Sequence, residues 1–588
     1  MKWTRALALL SIAAASALTA CDDDNGGGTG PIEPPAAPTS VSASLTNFDL
    51  TVTWDASDGA TGYSVTVAST DGSVTEPVTA TTATFDRLAG GTAYTVSVVA
   101  INGGGSSDPG TTSVTTPSLN ETFYKVAAYR NLEAAPGFDA SVFEFGTRAS
   151  PPDFTLAAMP AGYSAATIAT AGLRASVDGR AITATTYAGA IAPGTALADA
   201  WYNGWTIWAE DGSDSRDITG LPTKNVDADV LVDTEWDADT VYILTKPIFV
   251  GTDCGTDGTA AGCVEATLTI QPGTTIVGSS TLAPGTRGAY LIVSRGSRLV
   301  ADATPGTPLN APVRPTEAQT IVFTSDKAPG ARASGDWGGI VINGQAPTNA
   351  GDEATGEGDS GLYGGPDADD DSGIIRGVRI EFAGDDVTPT DQLNGLALQA
   401  VGAGTTISYV QIHYNEDDGI EPFGGTVSVD HLVVTGIGDD SVDGTDGYQG
   451  FMQFVLGQQN GANADNGFEI SNNGDAEDAS PKSIAVIANA TMIGAGDGVV
   501  SGGIAGHESD NGIQFREGSN YRVYNSIFTG FGEGGFCIRD AQTIVNALNR
   551  LDGETDANTT LSAEGLIMWD NQAAGAAENF AACGGGSS

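Results

Sequence analysis

The residues best placed to do chemistry are carboxylates that return in one short phrase. It reads DDGIE at 417–421, DDSVD at 439–443, DNGFE at 465–469, DNGIQ at 510–514 and EGGFC at 533–537. The first residues are 22, 26, 45 and 23 positions apart, so the 45-residue step reads as two periods and the others as one, giving about 22 residues per turn of a repeat. If equivalent positions stack, Asp417 falls over Asp439 and Asp465, Asp418 over Asp440, and Glu421 over Asp443. Two carboxylates about 4.8 Å apart repel by roughly 1 kcal/mol in water and about 3.5 kcal/mol at an effective dielectric of 20. A hard cation such as Ca²⁺, which takes six to eight oxygen ligands, would turn that repulsion into binding. Its ligands would be Asp417, Asp418, Glu421, Asp439, Asp440 and Asp443. The competing reading is a solvated acidic edge whose first two positions cap a bend, as Asn466 and Asn511 in the later phrases suggest.

Two further constellations are weaker. PDADDDSG at 366–373 sets Asp367, Asp369 and Asp371 at the alternating spacing of a calcium loop, but Ser372 stands where Gly is needed and Val378 where Glu is needed. A solvated surface loop is the better account. Arg516 and Arg539 each stand six places after the start of their phrase and are followed by Glu517 and Asp540. An arginine base beside Ca²⁺, or paired carboxylates, would suit polysaccharide cleavage. The spacing, however, sets the arginines several coils from the densest carboxylates, where a charge-paired ladder is the simpler reading. His413, His431 and His507 fall at different offsets from their phrases, so the repeat builds no three-histidine metal site. There is no nucleophile elbow, phosphate loop or dinucleotide fingerprint.

These residues must be positioned by strands. Each phrase follows an alternating apolar segment, such as ISYVQIHYN from Ile407 or VSVDHLVVTG from Val427, and period two means strand. The fourth place of the phrase (Ile420, Val442, Phe468, Ile513, Phe536) is an inward apolar ladder. The third is always small, as a tight bend would require. The implied object is a parallel β-helix. Composition agrees with an all-β, extracytoplasmic chain: 80 Gly in 588 residues and 16% charge. The 73 acidic and 24 basic residues leave a net charge of −49, which repels nucleic acid and attracts divalent cations or basic partners.

Lys2 and Arg5 precede an Ala/Leu run that ends in Leu18, Thr19, Ala20 and Cys21. This resembles a bacterial lipoprotein signal, and the resemblance implies cleavage after residue 20, acylation of Cys21 and a flexible acidic, Gly-rich tether over 21–37. It places the chain on the outer membrane by its lipid, at the cell surface, with the periplasmic side as the alternative. Four cysteines remain. Cys254 and Cys263 lie close together in a Gly/Asp loop and are expected to pair, leaving Cys537 and Cys583 to tie the tail onto a late coil.

Residues 38–117 hold short alternating segments with Trp54, Leu88 and Tyr94 in place, and resemble a fibronectin type III domain. Residues 118–225 read as a β-rich intermediate region. Its sharp feature is WYNGWTIW, with Trp201, Tyr202, Trp205 and Trp208, which fits a core or a solenoid cap better than a sugar platform. From 226 to 588 the succession LTIQPGTTIVG, GSRLVADATPGTP, WGGIVINGQAP, SGIIRGVRIEFAG and LNGLALQAVGAGTTISYVQIHYNEDDGIEPFGG is similar to a family of bacterial right-handed β-helix surface lipoproteins. That resemblance implies a surface-attached β-helix and carries over no catalytic residues. The expectation is a binding or structural envelope protein, possessing a Ca²⁺ site and partnered by an envelope glycan, an exopolymer or another surface protein. The alternative is a polysaccharide lyase or glycoside hydrolase on the same scaffold.

Overall fold

The computed structural model describes residues 32–70, 72–117, 128–129, 146–280, 288–385, 392–460, 464–495, 509–569 and 571. Cys21, the leader, most of the tether, His507 and Cys583 lie outside the described residues. The chain forms two compact units, Met1–Thr122 and Phe123–Ser588.

In the first unit, strands Ser42–Thr46, Asp49–Thr53 and Thr82–Phe85 make one antiparallel sheet, and Gly62–Ser69, Gly72–Val78, Ala93–Asn102, Gly105–Ser106 and Gly110–Thr115 make the other. Their alternating residues meet in a core that includes Trp54, Tyr63, Leu88 and Tyr94, all buried. Trp54 and Tyr63 pack edge to face at 5.2 Å, and the Tyr94 hydroxyl accepts the Ala89 N–H at 2.9 Å. This is a β-sandwich of the fibronectin type III kind.

The second unit is a parallel β-helix. Among the described residues, 17 strands form one sheet and nine form a second, smaller one, with parallel pairing from coil to coil in both. The chain enters this coil at Thr223–Val226, which pairs with Val241–Leu244, and the last rung Leu566–Trp569 is covered by Ala128–Tyr129 from the start of the unit. Thr406–His413 lies over Ser428–Thr435 with equivalent residues 22 apart. That period is local. Asn466 and Asn511, 45 residues apart, occupy adjacent coils and bond to each other, and Phe451–Gln458 pairs directly with Val486–Ile493. The 45-residue step is therefore one coil and not two. Among the described residues part of the extra chain is the strandless connection 471–485, which a parallel ladder tolerates because only the strands must keep register. A further departure is an α-helix, Ala541–Leu551, between the last rungs.

The small third place of the phrase also has a different cause from the one its composition suggests. A Cβ on Gly419 would lie 2.4 Å from the Ser441 carbonyl, one on Gly467 2.6 Å from that of Gly512, and one on Gly512 2.5 Å from that of Gly535. Close approach of one coil to the next, and not a left-handed bend, demands the small residue.

Residues 118–225 are not β-rich where they are described. Between 146 and 222 there is a single short 3₁₀ turn, Leu197–Asp199, and no strand. The reason is that this segment is an irregular strap laid over the outer face of the large sheet, and its backbone is bonded by side chains of that sheet. The Gln411 amide accepts the Ile207 N–H at 2.9 Å and donates to the Ile207 carbonyl at 2.7 Å. Gln453 does the same with Thr183, both bonds at 2.7 Å, and Asn525 with Ala166, at 2.7 and 3.0 Å. Each amide replaces a strand partner, satisfying one donor and one acceptor of a buried irregular chain. Tyr202, Trp205 and Trp208 are buried; Tyr202 and Trp208 pack with Phe154 against Val433, Leu456 and Ile527, so the aromatic cluster is core. Arg379 and Glu381, both fully buried, pair with each other at 2.8 Å; Arg379 also pairs with Glu317 and Glu381 with Arg332.

Gln411→Ala leaves the Ile207 N–H and C=O without partners in a buried site. The expected loss is on the order of 2–4 kcal/mol in urea unfolding of the β-helix unit. Unchanged stability would mean the strap is not held by this column.

Candidate metal site on the small sheet

Strands Ile420–Phe423, Val442–Gly444, Phe468–Ile470, Gln514–Phe515 and Cys537–Ile538 follow one another on the nine-stranded sheet. Ile420 pairs with Val442 and Val442 with Phe468, all three buried in the interior. Side chains alternate along a strand, so the next residue in each, Glu421, Asp443 and Glu469, stands on the opposite face in one row. Just before the strands a second column runs Asp418, Asp440, Asn466, Asn511. Here the Asp418 carboxylate accepts the Asp440 N–H at 3.0 Å and the Asp440 carboxylate accepts the Asn466 N–H at 2.6 Å. A third, outermost column holds Asp417, Asp439 and Asp465.

The register thus brings together the six expected residues and adds to them. Carboxylate oxygens of Asp417, Asp418 and Asp439 all lie within 4.8 Å of one another, as do those of Asp418, Glu421 and Asp443, and those of Asp439, Asp440 and Asp465. Asp418 links the first two sets and Asp439 the first and third. The edge is not simply solvated: Asp418, Asp440 and Glu421 are buried, with 7%, 3% and 6% of their surface exposed. Capping and burial coexist, because the inner column bonds backbone with one oxygen and leaves the other to its neighbours.

Crowding shows in the acidities. Burial first, and then the charges of Asp417, Asp443 and Asp439, push Asp418 well above the usual carboxylate range. Burial, then Asp443, Glu357 and Asp418, do the same to Glu421, and burial, then Glu469, Asp439, Asp465 and Asp418, to Asp440. Asp443 is pushed up to about 8 by burial and by Glu469. Carboxylate oxygens crowded in interlocking sets suit a hard divalent cation.

The row has defined ends. Arg516 donates to Glu469 at 2.5 Å and to Glu517 at 2.6 Å. It therefore sits at the end of the carboxylate row and not several coils away, because the 45-residue step is a single coil. Arg539 bonds Gln514 at 2.8 Å and lies 3.9 Å from Asp540. At the other end the Asn394 amide donates to Glu357 at 2.8 Å and to Glu421 at 2.6 Å, while its own buried Oδ1 has no hydrogen-bond partner. Asn394 thus stands at the end of the row with its amide oxygen unsatisfied. Glu469 was readable as the fifth place of its phrase. Asn394 and Glu357 were not, since they belong to no carboxylate phrase.

The other candidates fall away. Asp369 pairs with Arg174, and Asp371 with Arg298 at 2.8 Å, so two of the three candidate carboxylates of the 366–373 loop are spent on arginines, while Asp367 accepts the Asp369 N–H at 3.0 Å. His413 is buried between Thr435, at 2.7 Å, and the Ala209 carbonyl, at 3.0 Å. Cys254 and Cys263 form a disulfide; Cys537 is buried in the last strand of the small sheet.

A coiled parallel sheet with an acidic row on its small face defines a parallel β-helix protein of the kind that binds at surfaces or acts on polysaccharide. Residues 232–564 match the pectate-lyase-like β-helix domain, and the chain belongs to that family. Residues 36–116 match the fibronectin type III domain. No curated protein matches. Solved structures similar to the sandwich include the fn3 domain of human collagen α-1(XX), 26% identical over 16% of this chain and 94% of that one with a TM-score of 0.14. They also include the FN5 domain of Drosophila Lar, 22% identical over 14% and 98%, TM-score 0.13, and chicken CNTN1 FN1-FN3, 22% identical over 14% and 32%, TM-score 0.14.

Raised acidities give the pH dependence a sign. A carboxylate whose folded pKa lies above its unfolded value near 3.9 stabilises the fold fully below that value and loses the contribution as pH rises through the folded pKa. For Asp443 the window runs from about 4 to about 8, and Asp370, pushed up to about 6 by burial, adds to its lower part. In EDTA the melting temperature is expected to fall steadily from pH 5 to pH 8.5. A flat profile would show that the row carries no excess charge.

Proposed function

We propose that this is a lipid-anchored protein of the cell envelope, held at the outer-membrane surface through Cys21, whose β-helix is a Ca²⁺-stabilised binding element for an envelope glycan, an exopolymer or another surface protein. The observation that carries the reading is the interlocked carboxylate row, with three sets of oxygens inside 4.8 Å and inner members buried. Asp417, Asp418, Glu421, Asp439, Asp440 and Asp443 would hold the cation, with Asn394 and Glu469 at its ends. A net charge of −49 makes divalent cations its natural counterions and nucleic acid a poor partner.

A second reading, a Ca²⁺-dependent lyase or glycoside hydrolase, rests on the family and on the arginine that closes the row. Arg516 is poorly suited as a base. Burial would ease its deprotonation, but Glu469 and Glu517 outweigh this and drive its acidity further from neutrality, so it stays charged and occupied. Polygalacturonate with the full chain and Ca²⁺ separates the two readings: growth of an unsaturated-uronate absorbance that Arg516→Lys abolishes would establish the lyase.

The cation is tested by melting the full chain in EDTA and across a Ca²⁺ titration. A ligand at a hundred times its dissociation constant adds about 2.7 kcal/mol, so the midpoint should rise by several degrees. Asp440→Asn keeps a side-chain acceptor for the Asn466 N–H while removing one charge. It is expected to raise the midpoint in EDTA and to shrink the Ca²⁺ response; a variant that keeps the full response would exclude Asp440 as a ligand. Anchoring is tested separately: Cys21→Ser should lose incorporated palmitate and leave the membrane fraction.

A further inference from the structure

One column of the large sheet bends in every coil. Gly377, Tyr409, His431, Phe454, Asn489, Asn525 and Gly565 occupy successive coils at one register position and all have positive φ, between 50° and 72°. This left-handed region is cheap for Gly and tolerable for Asn, whereas a bulky residue there costs on the order of 1–3 kcal/mol. The outer coils use the cheap residues. The three central coils carry rings instead, and the rings stack: Tyr409 on His431 at 4.3 Å and 6°, His431 on Phe454 at 5.0 Å. Stacking returns about 0.5–1.5 kcal/mol per pair, and Trp201 and Trp205 of the strap add edge contacts to Tyr409 and His431, whereas Phe454, at the end of the stack, has only the His431 contact among these rings.

Beside these rings is a cavity of about 530 Å³. It is walled by Phe451, Gln453 and Phe454 of the sheet, by Arg180–Thr183 of the strap and by the 309–312 connection. His431 is held in place by its Nδ1 bond to Asp430, at 2.7 Å. Asp430 in turn is fixed by Ser408 at 2.6 Å and Arg180 at 3.0 Å, and Arg180 is itself paired with Asp178 at 2.6 Å. Asp430, Arg180 and Asp178 are thus spent on one another. The Nδ1 bond to Asp430 orients the ring and leaves Nε2 without a protein partner among the described residues. The cavity therefore offers ring surface beside an oriented imidazole nitrogen.

We infer that this cavity is a saccharide subsite: a pyranose packs its C–H face on Phe454 and shares a hydroxyl hydrogen bond with His431 Nε2. A C–H face matches the negative face of an aromatic ring, and an oriented polar group beside it fixes the ligand's orientation. The inference rests on the glycan-binding part of the proposed function and deepens it; it does not depend on Ca²⁺ or on the anchor.

The sequence contains only three histidines, so imidazole NMR of the ¹⁵N-histidine-labelled full chain reads His431 directly, assigned with His431→Asn. Glucose, galactose, N-acetylglucosamine and galacturonate are titrated as free monosaccharides, with the open-chain polyol sorbitol as control. Saturable movement of the His431 Nε2 signal by at least one hexopyranose, with His413 unmoved and sorbitol silent, is expected. Phe454→Asn, which installs the residue type the next coils use, should keep or raise the melting temperature and weaken the response at least tenfold. Silence of His431 to every pyranose overturns the inference, as does a response from sorbitol alike. A Phe454→Asn chain that melts lower but binds equally well assigns the rings to packing and also overturns it. Should the protein bind polysaccharide while His431 stays silent, the broader function stands and this subsite falls.

Discussion

Everything in the second unit depends on the vertical spacing of a parallel sheet. Each residue lies about 4.8 Å from its equivalent in the next coil, so a choice made once is repeated as a column, and a column must be acceptable as a whole. Apolar columns such as Ile420, Val442 and Phe468 meet this at once by burying one another. Amide columns meet it by bonding an irregular strap. A carboxylate column meets it only if something neutralises the row, and the protein's own cations do so at one end, through Arg516, while the middle remains crowded. The same geometry that gives the fold its regularity makes the acidic row the place where an outside ligand gains most.

The strap shows the complementary use of that regularity. A solenoid face offers identical spacings, and a chain without strands of its own can be held there if side chains supply what a neighbouring strand would. Gln411, Gln453 and Asn525 each present a donor and an acceptor, and each takes both backbone groups of one strap residue. Their bonds leave the strap's aromatic residues to pack on Val433 and Leu456. Covering the large sheet in this way leaves the small sheet as the face where the acidic row can meet solvent.

Much of this was legible in the phrase itself. Period-two alternation and the repeated DDGIE-like motif fixed strand direction, the inward ladder and the stacking of Asp417, Asp439 and their neighbours, because register in a coil is a property of the repeat. The expected disulfide between Cys254 and Cys263 is present. Coil length was not legible. A 45-residue step looks like two turns when insertions are unseen, and that error displaced Arg516 from Glu469. The strap was illegible for a different reason: its bonds come from residues more than two hundred positions away, as between Ile207 and Gln411, and nothing local in 146–222 marks it as anything but loop.

The balance between binding and catalysis turns on what the row's charged ends are free to do. A general base must be able to give up its proton near neutral pH and must face a substrate. Arg516 fails the first condition, since two carboxylates hold its guanidinium charged. The raised carboxylates could serve as acids, yet within each set they are close enough to share protons or a cation, with oxygens inside 4.8 Å of one another, which leaves no room for a sugar ring between members of a set. A pair that flanks a glycosidic bond has to be farther apart, at about 5–5.5 Å even in the tighter arrangement. Oxygens as close as these suit chelation better than cleavage, and that contrast supports the cation-organised binding surface proposed above.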